Sequence, residues 1–269
     1  MRSDVSRVFA AEWMKTKKRK SLYIMPVLTI LISILLFFSI DFAASRDWIG
    51  VSSGFYLASS SIGWIVNLVS FLAVMMTCFR ISGEFAMGTV KSVWVRPVGR
   101  ESWYFGKILS VMAAVTAHFV LAVTVITLLG WVKAGYIDLM EKDYLVHSAS
   151  SLGLRFVLVS FLTWWSLLST ITVSAFVAAI FNRPGGAIAM VIGMSLVMTM
   201  ISIFPVVNPF LLTTCLSMPF EQMTLMSKGL PLALGWNSLI LRTLVCAGIW
   251  MGLSMAGTIV VLKKKEITF

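Results

Sequence analysis

The chain has 269 residues, of which 59% are hydrophobic and only 12% are charged, and its formal net charge is +11. A soluble domain of this length places most of its chain at a water-facing surface, so this composition excludes an ordinary soluble protein. The basic excess does not indicate nucleic-acid binding, because no soluble module that combines basic and aromatic residues is present.

Six stretches of at least twenty residues contain no Asp, Glu, Lys or Arg. About twenty apolar residues are enough for a helix to cross the hydrocarbon core of a bilayer. We therefore predict an all-α, polytopic membrane protein that forms a single transmembrane domain. Its six transmembrane helices are expected at 21–40, 57–79, 108–131, 156–181, 186–204 and 238–262.

The residues before the first span, 3–18, are predicted to form an amphipathic helix. Val5, Phe9 and Trp13 recur at helical spacing, while charged residues such as Glu12 are expected to point away from that apolar stripe. A helix of this kind lies in the membrane interface. The alternative is a basic flank that only orients the first span.

The basic residues are distributed unevenly between the two sides of the predicted membrane domain. Sixteen of the 22 lysines and arginines fall on the side that carries both chain ends, and six fall on the other side or at its boundary. Basic residues are enriched in cytoplasmic loops of helical membrane proteins. Both termini are therefore predicted to be cytoplasmic.

The segment at 81–105, between the second and third spans, carries the most informative local pattern. Residues from Glu84 to Trp94 are predicted to form a short amphipathic helix along the inner surface, which Pro97 ends because proline disfavours helical backbone before it. Glycine, threonine and basic residues punctuate this part of the chain: Gly88, Thr89, Lys91, Arg96, Arg100, Gly106 and Lys107. The alternative is a basic inner loop, although topology alone does not need Gly-Thr or proline at these positions.

Ionisable side chains inside the spans are few. An ionisable residue within a span, here His118, is a candidate for a functional role, although it is also commonly neutral and hydrogen-bonded within the protein. The fourth span is rich in hydroxyl groups, which favours close helix packing; the alternative is that they line a polar path through the membrane. The candidates for such a path are Asn67, His118, Ser166 and Thr170.

The apolar stretch at 184–220 is too long for one span and contains Pro205, Pro209 and Pro219. Backbone groups that proline leaves unpaired cannot face lipid, so this part must pack against protein or water. We predict one or two short, half-inserted outer helices within 206–235, with the three prolines at an outer gate.

The cysteines and histidines give no metal-binding pattern. Cys78, Cys215 and Cys246 are predicted at different depths, and their spacing is not that of a disulfide framework or a metal site. Buried free thiols are expected.

Taken together, these features resemble the permease subunits of bacterial type-2 ATP-binding cassette (ABC) exporters. Members of that family carry a glutamate, a Gly-Thr, a Pro-Val-x-Arg and a Gly-Lys before the third span, which correspond here to Glu84, Gly88-Thr89, Pro97 to Arg100 and Gly106-Lys107. Six spans in a chain of this length and a basic tail that contains Glu266-Ile267 agree with the resemblance.

The resemblance implies that the segment after the second span is a coupling helix that docks onto a separate cytoplasmic ATPase. The contact residues carried over from it are Glu84, Gly88, Thr89, Lys91, Arg96, Pro97 and Arg100. Residues 101–108 are no phosphate-binding loop, because Glu101 replaces the first glycine and Ile108 the hydroxyl residue. We therefore expect no cofactor in this chain, with ATP and Mg bound by the partner.

The function that the resemblance implies is export of an amphipathic substrate, such as an antimicrobial peptide, a drug or a lipid-like molecule. The expected complex contains an ATPase dimer and a second permease subunit, identical or paralogous, in the lipid of a bacterial cell membrane. Two alternatives are a membrane sensor that does not transport and an intramembrane enzyme. No span carries the paired carboxylates or the Ser-His pair that an enzyme of the latter kind uses.

Overall fold

The computed structural model describes residues 2–17, 21–46, 53–90, 99–141, 144–232 and 234–265, and most of them are helical. The helices are α1 (Arg2–Lys17), α2 (Ser21–Ser45), α3 (Gly54–Ala86), α4 (Arg100–Ala134), α5 (Ala149–Ile180), α6 (Pro184–Ile201), α7 (Leu212–Ser227) and α8 (Trp236–Lys264). Two short strands, β1 (Leu139–Glu141) and β2 (Tyr144–His147), lie between α4 and α5.

Six of these helices are long and apolar enough to cross a membrane: α2 to α6, and α8. This confirms the predicted all-α, six-span fold. The helices α3 and α4 are longer than the apolar stretches from which they were predicted. The polar residues at their ends are paired within the protein, so the helices continue past those stretches. The placement of α1 in the membrane interface stays a prediction.

The helix α3 is the centre of the fold and packs against α2, α4, α5, α6 and α7. Its buried residues recur every three or four positions, as in Ile62, Ile65, Val66 and Val69. The helix α5 is the second centre and packs against α3, α7 and α8.

The hydroxyl groups of α5 serve helix packing at several points. The Ser166 hydroxyl donates to the carbonyl oxygen of Cys215 on α7 at 3.0 Å, and the Ser254 hydroxyl of α8 donates to Thr172 at 3.0 Å. Small polar side chains allow transmembrane helices to approach closely and to form hydrogen bonds. These hydroxyl groups of α5 therefore hold α7 and α8 in place.

The loop between α4 and α5 contains an antiparallel hairpin that the sequence pattern did not predict. Met140 pairs with Leu145, and Glu141 pairs with Tyr144. Just outside the hairpin, the Asp138 carboxylate accepts a hydrogen bond from the backbone N–H of Ala149 at 2.6 Å, which ties the loop to the start of α5.

The predicted outer region at 206–235 contains one short 3₁₀ turn, Asn208–Phe210, followed by α7. Pro205 lies in the turn after α6, Pro209 lies in the 3₁₀ turn, and Pro219 lies inside α7 and is buried. A side chain of α8 holds the 3₁₀ turn in place. The Trp250 indole N–H donates a hydrogen bond to the carbonyl oxygen of Phe210 at 2.9 Å. A gating role for the prolines stays a prediction.

The three cysteines are free and buried, as expected. Their relative depths stay a prediction.

A candidate coupling site where α1, α3 and α4 meet

The glycine at position 106 determines how closely α1 approaches α4. A Cβ atom added at Gly106 would lie 2.6 Å from Cγ1 of Val8 and 3.1 Å from the backbone nitrogen of Phe9. Real side chains do not approach so closely, so any larger residue at this position would push α1 away. The Gly-Lys pair before the third span therefore has a structural use: the glycine provides the space that α1 occupies.

The lysine that follows binds two carboxylates from two other helices. The Lys107 ammonium lies 2.6 Å from Oε1 of Glu84 on α3 and 3.1 Å from Oε1 of Glu12 on α1. Lys15 completes the group, at 2.8 Å from Glu12 and 3.7 Å from Glu84. We call these four residues the ion cluster. Its two positive and two negative charges balance, which a partly buried site requires.

Burial within the ion cluster is uneven. The side chain of Lys107 is 1% exposed, those of Glu12 and Glu84 are 10% and 13% exposed, and that of Lys15 is 56% exposed. Burial opposes ionisation of Glu12, but the charges and hydrogen bonds of Lys107 and Lys15 outweigh it and hold the pKa of Glu12 below its ordinary value. Glu12 is therefore ionised at neutral pH. Because Lys107 is almost fully buried, water cannot replace the carboxylates of Glu12 and Glu84 as partners of its ammonium group.

Aromatic and hydroxyl groups support the ion cluster. The Trp103 indole donates to the second carboxylate oxygen of Glu84 at 3.3 Å, and the Lys107 ammonium lies 5.2 Å from the centre of the same ring. Next to the cluster, the Arg80 guanidinium donates to Ser110 at 2.6 Å and to Thr16 at 2.9 Å. A second polar link therefore joins α1, α3 and α4.

The end of α3 explains why a glycine follows the glutamate by four residues. The backbone of Gly88 has φ of +68°, the left-handed region that glycine adopts at low cost, and its N–H donates to the carbonyl of Phe85 at 3.2 Å. The prediction that Glu84 begins a separate short helix was wrong, because Glu84 lies in the last turns of α3 and is held there by Lys107. Thr89 is exposed, and its hydroxyl lies 3.4 Å from the carbonyl of Glu84.

Three predicted coupling residues, Lys91, Arg96 and Pro97, lie outside the described residues. Arg100 is described, and it begins α4. Its guanidinium donates to the carbonyl of Leu262 at 2.8 Å, so it binds the C-terminal end of α8. A cation at that end is favourable because the last carbonyls of a helix carry partial negative charge.

A cavity of about 380 Å³ lies elsewhere in the protein, between α3, α5, α6 and α7. Two candidates from the sequence, Asn67 and Thr170, line it. Among the described residues, the cavity lining contains no charged side chain; its polar residues are Asn67, Ser70, Thr170, Ser195, Thr199, Ser202, Thr213, Thr214 and Ser217. The Thr213 hydroxyl oxygen is buried and has no hydrogen-bond partner among the described residues.

The other two path candidates do not line this cavity. Ser166 is buried against α7, as described above. His118 is 7% exposed, and its Nδ1 lies 2.7 Å from the carbonyl of Ala114, while its buried Nε2 has no partner in the part of the chain that the structure describes. The cavity and His118 are therefore separate features.

Sequence reasoning missed Glu12 as a member of the site, because a charged residue on an amphipathic helix is expected to face water. It noted Lys107 only as part of a pattern. Two signals were present: Glu12 lies next to the apolar Trp13, and Lys107 follows a glycine inside a helix. Neither signal identifies the partner, since the contacts join residues far apart in the chain.

A comparison with models of protein families matches residues 8–268 to the family described as ABC-2 family transporter protein. The match includes the ion cluster, the cavity and all six membrane-spanning helices. No curated protein matches the chain.

Replacing Lys107 by methionine is expected to destabilise the protein strongly. The change leaves Glu12 and Glu84 without their shared cation, and breaking a buried ion pair costs about 3–5 kcal/mol. The matched control is Lys263→Met, because Lys263 pairs with Glu101 at 3.0 Å but is 65% exposed. The control should change the free energy of unfolding by less than about 1 kcal/mol. Unfolding of both variants in detergent provides the measurement, and equal effects would contradict a structural role for Lys107.

Proposed function

The chain belongs to the ABC-2 family of transporter proteins, and on that premise we propose that it is the permease of a bacterial exporter for amphipathic molecules. The family makes it a multi-pass transmembrane subunit of an ABC transporter rather than an enzyme. In our proposal, a separate cytoplasmic ATPase dimer binds ATP and Mg and drives transport. The substrate is a peptide, drug or lipid-like molecule.

One observation carries the coupling part of this proposal. The segment between Val90 and Gly99 connects two helix ends that the ion cluster holds together, since Glu84 near the end of α3 binds Lys107 in the second turn of α4 at 2.6 Å. A force applied to this segment acts on both helices at once. We propose that Gly88, Thr89, Lys91, Arg96 and Pro97 contact the ATPase, while Glu84 and Arg100 position the two helices from within.

The cavity between α3, α5, α6 and α7 supports an amphipathic substrate. The described residues of its wall combine apolar side chains with hydroxyl and amide groups and include no charged side chain. Several of its hydroxyls donate to their own helix, as Ser195 does to the carbonyl of Val191 at 2.9 Å, and their oxygens stay available as acceptors. A largely apolar molecule that offers N–H or O–H donors fits this lining.

The exposed face of α6 supports a second permease subunit, identical or paralogous. Only Ala187 and Val191 of α6 are buried, while large apolar residues such as Leu196 and Met200 are exposed beside the cavity. A second subunit packed there would close the cavity between two copies. In this arrangement both termini are cytoplasmic, and α7 with Pro205, Pro209 and Pro219 forms the outer gate.

The coupling proposal predicts that ATPase binding can be lost without any change in how α3 and α4 are held together. Arg96→Glu reverses a charge in the proposed contact segment and should release the ATPase while leaving the unfolding temperature of the permease unchanged. The control is Lys142→Gln, in the predicted outer loop. It should neither release the ATPase nor change the unfolding temperature. Co-purification of the ATPase with each variant is the measurement. Full retention of the ATPase by Arg96→Glu would contradict the assigned contact.

The cavity proposal predicts that filling the cavity blocks substrate without affecting assembly. Ser195→Phe should reduce substrate affinity at least about tenfold, equivalent to about 1.4 kcal/mol, because the added ring occupies space that the substrate needs. The control is Ser39→Phe, since Ser39 also donates to its own helix, at 2.7 Å, but is exposed on α2. Substrate-stimulated ATP hydrolysis of the complex distinguishes the two. An equal loss of substrate-stimulated ATP hydrolysis in both variants would contradict the cavity as the substrate path. An ATPase that binds while no substrate is transported would favour the alternative of a membrane sensor.

A further inference from the structure

The end of α5 that is predicted to face the cytoplasm is held by donors from two other helices. The Ser82 hydroxyl of α3 donates to the carbonyl of Ala178 at 2.8 Å, and the Lys265 ammonium, just after α8, donates to the carbonyl of Ala179 at 2.7 Å. The same ammonium lies 3.9 Å from the centre of the Phe85 ring of α3. The last carbonyls of a helix have no partner within that helix, so these donors satisfy the end of α5.

The start of α4 is connected to the same group of helix ends. Its first residue, Arg100, donates to the carbonyl of Leu262 near the end of α8 at 2.8 Å, and the ion cluster joins α4 to α3. The contacts therefore run from α3 to α4, from α4 to α8, from α8 to α5 and from α5 back to α3. We call this closed set of four contacts the inner ring.

The inner ring lies next to the cavity between α3, α5, α6 and α7. Val74 of α3 and Val173 of α5 line the cavity, and Ser82 and Ala178 lie further along the same two helices towards the predicted cytoplasmic side. Val74, Cys78 and Ser82 share one face of α3, because they follow one another at helical spacing, and about 12 Å separates the first from the last. Cys78 is fully buried and therefore lies between the cavity and the inner ring.

The contacts of the inner ring differ in how easily they can open. Lys107 is 1% exposed and binds two carboxylates, so α3 and α4 separate only at a large cost in free energy. Lys265 is half-buried, and within the described part of the chain its ammonium contacts a neutral carbonyl and an aromatic ring rather than a carboxylate. Burial lowers the pKa of Lys265, because its charge is less well solvated than in water. Water can therefore replace the Ala179 carbonyl at a modest cost, and the end of α5 is the part of the ring that can move.

We propose that the inner ring is the inner gate of the cavity, closed in this structure, and that it opens when the end of α5 leaves Ser82 and Lys265. The inference rests on the proposed function, because it gives the substrate cavity an entrance from the cytoplasmic side. In the open state, a molecule reaches the cavity along the face of α3 that carries Cys78. The ion cluster and Arg100 keep α3, α4 and α8 together while α5 moves.

The native Cys78 reports on this gate without an engineered reporter. Inverted and right-side-out membrane vesicles that contain the full chain are treated with a charged, membrane-impermeant methanethiosulfonate reagent. The labelled cysteines are then identified by mass spectrometry. In the original chain we expect slow labelling of Cys78, from the cytoplasmic side alone. Lys265→Met should accelerate this labelling about tenfold, because the closed state loses a hydrogen bond from a charged donor.

Two further variants and two native cysteines serve as controls. Ser82→Ala removes the other contact to the end of α5 and should also accelerate the labelling of Cys78, by a smaller factor because a neutral hydrogen bond is lost. Lys264→Met removes the same charge from an exposed neighbour of Lys265 and should leave the rate unchanged. The buried Cys215 and Cys246 report any general loss of structure, and their labelling should stay slow in every variant.

Three results would overturn the gate. The first is an unchanged rate of Cys78 labelling in both Lys265→Met and Ser82→Ala, and the second is an equal acceleration in Lys264→Met. The third is an equal acceleration at all three cysteines, since Lys265 would then only support the fold. The test needs neither the ATPase nor a transported substrate. A chain that binds no ATPase would therefore contradict the proposed function, whereas these three results concern the gate alone.

Discussion

The packing of α1, α3 and α4 depends on how one buried ammonium is neutralised. Lys107 is 1% exposed and lies within 3.1 Å of two carboxylates that come from different helices. An isolated charge at such a site is very unfavourable, so the three helices cannot separate without exposing Lys107 to water or leaving it unpaired. Gly106 makes this arrangement sterically accessible, because only a residue without a side chain lets α1 come near enough for Glu12 to reach the ammonium. The ion cluster thus fixes the geometry of both helix ends that flank the segment at 91–98.

The same requirement, that buried polar groups find partners, bears on the cavity between α3, α5, α6 and α7. Hydroxyls on its wall, such as that of Ser195, donate to carbonyls of their own helices and keep their oxygens as acceptors. A largely apolar molecule with N–H or O–H donors can therefore form hydrogen bonds in the cavity and bury its apolar part there. This is the physical basis for the proposal that an amphipathic substrate enters the cavity.

The sequence predicted the six spans well, because uncharged runs of twenty residues have few alternatives in a helical membrane protein. It predicted polar pairing poorly. It did not reveal that Glu84 binds Lys107, because an amphipathic pattern reports which face is polar and not whether that face is covered by another helix. It also did not reveal that Arg100 binds the end of α8, 162 residues away in the chain. Contact of either residue with an ATPase stays a prediction. Of the path candidates, Asn67 and Thr170 line one cavity, whereas Ser166 shares the hydroxyl pattern but binds α7. A role of these residues in transport stays a prediction.

The central claim is that Lys107 joins α1 to the rest of the protein through Glu12, and a double-mutant cycle between these two residues tests it most directly. The free energy of unfolding is measured in mixed micelles for the original chain, Glu12→Gln, Lys107→Met and the double variant. A shared buried ion pair predicts an interaction energy of at least about 1.5 kcal/mol, because contacting charged residues are strongly non-additive. Additive effects, with an interaction energy below about 0.5 kcal/mol, would contradict the claim.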